Sequence, residues 1–215
     1  MTTTAVALFP IPNCVSFPGT TYPLHVFEPR YRAMVKHCIE TGTYMAVCHT
    51  QKELRAAKPN QTREQALQSN QATYKPFDVF SAGPCELMEE LPDGRMLIHV
   101  HLKHRYRAVE EQQTLPFSIY ACEEVHDEPL DEASEQELTL LKEKVLTRLI
   151  ALTNNNPRVQ AILKSDDWQD ISPEEFSFAI FAMIHLEADL QQEILEYVSP
   201  VMRLEYLLAL LNEQS

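Results

Sequence analysis

Two histidines separated by one residue, His99 and His101, are the side chains of this chain that most directly suggest metal chemistry. Residues two apart on a β-strand point to the same face, so both imidazoles would lie side by side. Such a pair could begin a zinc site, with Cys122 or His126 as a further ligand. The same alternation with apolar residues also predicts the solvated face of a half-buried strand, which needs no metal. The sequence leaves both interpretations open.

Cysteine and histidine are adjacent at His37-Cys38 and at Cys48-His49, an arrangement that would suggest a nucleophile and its base. Adjacent side chains point to opposite faces of a strand and diverge by about 100° on a helix. They therefore cannot form the hydrogen bond that activates a thiol. The five cysteines form no C-x-x-C pair. Their places within apolar runs predict buried thiols in a reducing compartment.

Two Arg-Tyr-Arg triplets, at 30–32 and 105–107, are candidates for contacts with a partner. Tyr31 belongs to a predicted apolar helix face, so the flanking arginines project elsewhere. They pair either with carboxylates of the acidic carboxy-terminal region or with a bound polypeptide. Tyr22 and Met34 are further candidates, since aromatic and methionine side chains suit adaptable surfaces; core packing is their alternative. The predicted polypeptide-binding residues are Tyr22, Arg30, Arg32, Met34, Arg105 and Arg107.

Short strands and one helix carry these residues over about 1–125. The patterning predicts strands at about 5–9, 24–27, 44–49, 82–91, 95–102, 105–110 and 117–125. The turn Pro92-Asp93-Gly94 predicts a hairpin. Pro29 suits a first helical position, an apolar stripe follows, and Gly42 suits the stop. Short strands around one embedded helix predict a closed or nearly closed β-barrel.

The residues from about 51 to 76 are polar and carry almost no large apolar side chains. A connection of this length inside a domain is typical of a mobile or functional segment. The stretch from Thr62 to Gln71 could form a marginal helix.

After residue 129 the apolar period becomes helical. Ser134 and Glu137 predict a capping box, and Asn-Pro or Ser-Pro pairs at 156–157, 172–173 and 199–200 predict further helix starts. The helix beginning at Pro173 is apolar almost all round through residue 184, which predicts a central buried position. We therefore expect an α+β protein, with a barrel domain over 1–125 and a bundle of about five helices over 126–215.

The net charge of −13 is concentrated in the carboxy-terminal part. Residues 1–125 hold 12 basic and 13 acidic residues, and residues 126–215 hold 6 and 18. Nucleic-acid affinity depends mainly on neutralising phosphates, so this charge disfavours RNA or DNA as a partner. A weak nucleic-acid contact through the barrel remains an alternative function, as does a metal-dependent enzyme using the His99/His101 strand.

Several functional classes lack their sequence signature. The four glycines are not spaced for a phosphate-binding loop or a dinucleotide fingerprint, so no ATPase or nicotinamide enzyme is expected. The start of the chain lacks a basic n-region, and no apolar run approaches about 18 residues. We expect a cytoplasmic protein without cofactor, structural metal or membrane partner. Weak homo-oligomer formation stays open.

Several motifs together resemble the amino-terminal domain of Lon-type ATP-dependent proteases. They are the runs LFPIP at 8–12, FPG at 17–19, PLHVFEPRYR at 23–32, ELPDGR at 90–95, RYR at 105–107 and MRLEYLL at 202–208. The resemblance spans nearly the whole chain. It implies a PUA-like β-barrel with a helical bundle, and a module that engages protein substrates. The ATPase and Ser–Lys peptidase domains of a complete Lon are absent from this sequence. We therefore expect a non-catalytic polypeptide-recognition module, such as an adaptor or holdase.

Overall fold

The computed structural model describes residues 2–57, 61–62, 65 and 69–213. Their contacts form two compact units: residues up to Val125 with Leu186–Leu195, and His126–His185 with residues from Glu196 onward. The division into domains at 125/126 stays a prediction, and the contacts group 186–195 with the first unit. No helix of the described residues is both long enough and apolar enough to cross a membrane.

The first unit is built around a closed β-barrel. The strands of this unit are β1 (Thr4–Pro10), β2 (Thr21–Val26), β3 (Tyr44–Cys48), β4 (Thr50–Arg55), β5 (Thr73–Pro76), β6 (Val79–Gly83), β7 (Cys85–Glu90), β8 (Met96–His101), β9 (His104–Gln113) and β10 (Ile119–Val125). The barrel has the order β1-β10-β9-β6-β3, and β1 closes it by pairing parallel to β3. The predicted β-barrel is therefore confirmed.

A second sheet has the order β2-β8-β7, and the predicted turn at 92–94 joins β7 to β8. Gly94 has φ +80°, and its N–H donates to the carbonyl of Leu91 at 2.8 Å. The prediction of one strand over 82–91 is wrong, because β6 and β7 belong to different sheets. Pro84 lies between them and has no N–H to continue a ladder, so the chain changes sheet there.

The polar stretch after β3 contains two strands that the apolar pattern did not predict. β4 and β5 pair antiparallel as a separate two-stranded sheet, here called the ribbon (Thr50–Arg55 and Thr73–Pro76). Residues 51–55 are all exposed, so this pairing needs no apolar face. The helix predicted at 62–71 lies largely outside the described residues.

Helix α1 (Pro29–Thr41) is the embedded helix of the first unit, and its sequence signals are confirmed. Pro29 occupies the first turn, and Gly42 adopts φ +74° and donates its N–H to the carbonyl of Cys38 at 2.9 Å. The buried face of α1 includes Tyr31 and packs with strands of both larger sheets in one core. This core holds α1 in place, and the first residues of α1 border the candidate site.

The remaining helices are α2 (Glu132–Leu152), α3 (Pro157–Leu163), α4 (Asp166–Asp170), α5 (Pro173–Ala179), α6 (Ala188–Glu196) and α7 (Pro200–Glu213), with a 3₁₀ turn at Ile180–Ala182. Most of α6 belongs to the first unit. Gln192 Nε2 donates to the carbonyl of Val79 at 2.9 Å, and Arg105 Nη1 donates to that of Leu195 at 2.8 Å. These two bonds attach α6 to β6 and β9.

The second unit confirms the three predicted Asn-Pro and Ser-Pro helix starts and corrects the start of α2. Asn156 and Ser172 accept hydrogen bonds from the N–H groups of the third residues after them, as predicted. At the third of these pairs, α7 begins at Pro200, and the N–H of Met202 donates to Ser199 Oγ at 3.4 Å. The capping box at Ser134 is wrong, because α2 begins earlier and Asp131 accepts from the N–H of Ser134 at 2.8 Å. The helix predicted through residue 184 ends at Ala179, although its aromatic residues are buried as expected.

Candidate functional site

Two predicted partner-facing residues of the first unit are not freely accessible. Met34 is fully buried in the core, so its side chain presents no surface to a polypeptide. Tyr22 is half-buried on β2, and its hydroxyl accepts a hydrogen bond from Cys14 Sγ at 3.0 Å. Burial raises the pKa of Tyr22 to about 12. Sequence patterning could not separate these residues from surface residues, since it does not measure exposure.

The second Arg-Tyr-Arg triplet is divided between core and surface. Arg105 is buried, and its guanidinium binds the Leu195 carbonyl, whereas Arg107 is exposed on β9. Arg105 thus contributes to attaching α6, and its guanidinium lies inside the first unit. Arg107 stays a candidate contact residue.

The first triplet lies at the start of α1 and helps to place the ribbon. Arg30 Nε donates to Glu28 Oε2 at 3.0 Å. Its Nη2 donates to the Ala72 carbonyl at 2.6 Å, and its Nη1 donates to Thr73 Oγ1 at 3.1 Å. These bonds link α1 to the residues that begin β5. Arg32 instead donates to the carbonyl of Gly94 at 3.2 Å.

The histidine pair of β8 has the predicted same-face arrangement. The rings of His99 and His101 lie edge to face with centroids 6.3 Å apart. His101 Nε2 lies 2.9 Å from Glu86 Oε2, and its Nδ1 lies 3.1 Å from Thr21 Oγ1. The suggested ligand Cys122 is fully buried. Within the described ranges, no group of three or more His, Cys, Asp or Glu side chains could hold a metal ion.

A pocket of about 340 Å³ lies in the first unit between the ribbon, the start of α1 and the β9–β10 loop. Its volume falls in the range of sites that hold small ligands. Leu8, Tyr31 and Phe117 are buried and contribute apolar walls. Two lining leucines are strongly exposed, Leu115 at 81% and Leu54 at 58%. The pocket therefore presents accessible apolar surface.

The ribbon supplies consecutive residues to this pocket because its pairing is irregular. Leu54 and Arg55 both line the pocket, although neighbours on a regular strand point to opposite faces. The register between β4 and β5 shifts between Glu53 and Arg55. Such a shift re-aims side chains and explains how an apolar and a basic residue share one site.

A second pocket, of about 400 Å³, shares lining residues with the first. The shared residues are Pro10, Arg30, Tyr31, Gln71 and Tyr74. Of the residues predicted from sequence, only Arg30 lines these two pockets. Sequence reasoning missed Leu54, Tyr74 and Leu115. Leu54 carried the available signal, since it is one of only two leucines in the polar segment over 51–76.

The architecture of a closed barrel with an embedded helix, followed by a helical region, is that of solved Lon amino-terminal domains. The N-terminal domain of Lon protease from Mycobacterium avium complex matches with a TM-score of 0.69 and 11% identity, covering 99% of this chain and 100% of that chain. A Lon N-terminal domain protein from Xanthomonas campestris matches with a TM-score of 0.59 and 19% identity, covering 96% and 98%. At these identities the likeness shows the fold.

The family follows from the sequence itself. The pattern of the family described as ATP-dependent protease La (LON) substrate-binding domain matches residues 5–213. The chain belongs to this family. The match covers a substrate-binding domain, in agreement with a binding role.

Proposed function

We propose that this chain is a non-catalytic polypeptide-recognition module that acts as an adaptor or holdase for unfolded or partner proteins. The observation that carries the proposal is the pocket of about 340 Å³ with the exposed residues Leu54 and Leu115 among its lining. The family match to a substrate-binding domain supports the same role.

The chemistry of the pocket favours an extended chain over a folded surface. An apolar side chain that enters the pocket gains a favourable free energy of roughly 25 cal/mol for each Å² of apolar surface removed from water. Unfolded polypeptides present large apolar side chains that a folded protein buries. Tyr74 and Tyr120 add half-buried rings with polar edges, which suit side chains of varied shape. A partner would therefore be recognised by an accessible apolar side chain within a flexible segment.

The test is fluorescence anisotropy of a labelled, permanently unfolded polypeptide titrated with the full chain. We expect saturable binding and no binding of a folded protein of similar size. The substitution Leu54→Gln together with Leu115→Gln should weaken binding by about tenfold, because two apolar contacts are lost without a change of charge.

A matched control is Leu140→Gln on α2, which removes a leucine of similar exposure, 54%, from the second unit. It should leave the affinity unchanged. Equal loss in the control, or no binding by the unaltered chain, would contradict the proposal. Incubation of the chain with ATP and casein should leave the casein intact, and its degradation would contradict a non-catalytic role.

A further inference from the structure

The ribbon carries an excess of positive charge in a chain whose net charge is −13. Its two strands contain three cations, Lys52, Arg55 and Lys75, and one anion, Glu53. All four residues are exposed. This local balance is opposite in sign to that of the chain as a whole.

Two of these cations face each other across the ribbon. Lys52 and Lys75 are paired in the register of β4 and β5. Like charges directly opposite on a sheet are destabilising, so this pair lowers the stability of the ribbon. Among the described residues, no carboxylate forms an ion pair with Lys52, Arg55 or Lys75. The ribbon therefore presents positive charge that the described chain does not neutralise.

The same cations border the apolar pocket. Arg55 and Lys75 line it beside Leu54, and Glu111 is the one acidic residue in the lining. Arg30 also lines the pocket, but Glu28 pairs with its guanidinium at 2.9 Å. An apolar anchor site thus lies next to two exposed, uncompensated cations.

We propose that the pocket and ribbon select acidic–apolar polypeptide segments, an inference that rests on the proposed function. One large apolar side chain enters the pocket, and Asp or Glu residues of the same segment lie along Lys52, Arg55 and Lys75. A strand advances about 3.3 Å per residue and the screening length is about 10 Å, so effective carboxylates lie within about three residues of the anchor.

A polypeptide fits this surface better than a nucleic acid does. A nucleic acid carries a charge on every phosphate, and the overall charge of −13 opposes its approach. A segment with one or two carboxylates next to an apolar side chain matches both the cations and the pocket walls. It also meets less long-range repulsion.

The experiment compares three fluorescent peptides that share a central phenylalanine and differ only in having Glu, Gln or Lys in the flanking positions. The unaltered chain should bind the Glu peptide most tightly and the Lys peptide least. Raising the salt concentration from about 0.05 to 0.3 M should reduce this preference, because the charges involved are exposed.

The variant Lys52→Gln with Lys75→Gln should bind the Glu peptide about three- to tenfold more weakly, with little change for the Gln peptide. Its melting temperature should stay the same or rise, since the like-charge pair is removed. Lys103→Gln removes another exposed cation of the first unit and should change neither affinity.

Equal affinities for the Glu and Gln peptides would overturn the inference while leaving polypeptide recognition intact. Failure of all three peptides to bind would also overturn it. The titration of the labelled unfolded polypeptide described above then decides whether the proposed function is wrong as well. Binding of a short RNA as strong as that of the Glu peptide would overturn it in favour of a nucleic acid. Self-association abolished by Lys52→Gln with Lys75→Gln would assign the ribbon to a second copy of the chain.

Discussion

Arg203 is a fully buried charged residue of the second unit, with 0% of its surface exposed. Its Nη1 donates to Asp127 Oδ1 at 2.7 Å, and its Nη2 donates to the other oxygen of that carboxylate. Its Nε donates to Ser177 Oγ at 3.1 Å, and the guanidinium lies 3.7 Å from the ring centre of Phe178. These contacts join α5 and α7 to Asp127, which lies between β10 and α2 in the chain. Arg203 lies in the run MRLEYLL at 202–208, and nothing in that run predicted that its side chain would be buried.

Arg203→Met should lower the free energy of unfolding of the second unit by about 3 kcal/mol, because Asp127 and Ser177 lose their partner. Urea unfolding followed by the fluorescence of Trp168, the one tryptophan of the chain, measures this unit directly.

Arg148→Met provides the matched control for Arg203. Arg148 also binds inside the second unit, through two bonds of 3.3 and 3.2 Å to the carbonyl of Leu211. It has no carboxylate partner in those bonds, so we expect a loss of only about 1 kcal/mol. Equal losses for the two arginines would show that the Asp127 pair is not the main source of stability.

At the scale of elements, α1 was predictable and the ribbon was not. The proline, apolar stripe and glycine of α1 are local signals, and each occupies its predicted role. In β4 every residue after Thr50 is exposed, and in β5 no residue is fully buried, so no buried apolar alternation marks these strands in the sequence. Pairing of backbone groups across more than 15 residues creates them.

The start of α2 offers a test at the same scale. Asp131 caps the helix, and its hydrogen bonds with Ser134 hold the pKa of its carboxyl below the usual range. The stabilisation is therefore present above the ordinary carboxyl pKa and is lost as the pH falls through the lowered one. Asp131→Ala should lower the melting temperature more at pH 7 than near pH 2, because the ionised carboxylate is the stronger acceptor.

Asp131→Asn is the control, since asparagine is an equally good cap and keeps the acceptor oxygen. It should retain most of the melting temperature at pH 7. A drop as large as that of Asp131→Ala would show that charge, and not the cap hydrogen bond, stabilises this helix start.

At the scale of the molecule, buried thiols link stability to alkaline pH. Burial raises the pKa of Cys38 and of Cys122 to about 12 and that of Cys85 to about 11. The ordinary thiol pKa is lower, so between about pH 9 and 12 the unfolded chain releases protons that the folded chain retains. This contribution to stability is complete below about pH 9 and is lost as the pH rises through that window.

The free energy of unfolding of the first unit should therefore decrease between about pH 9 and 11, as measured by urea titration with circular dichroism. Cys122→Ala removes one of the thiols and should make the decrease shallower, whatever its effect at neutral pH. An identical slope with and without Cys122 would contradict burial as the cause of the raised pKa.

The sequence by itself determined the family, the barrel class, the embedded helix and the acidic helical region. These features follow from local signals: turn residues, helix caps, apolar periods and the motif from Leu8 to Arg32. Only the tertiary structure decided which residues are accessible. It buried Met34 and Arg105, which the sequence offered as contact residues, and it exposed Leu54 and Leu115 beside one pocket. The physical reason is that exposure depends on which distant segments pack against a side chain, and a local pattern contains no record of that packing.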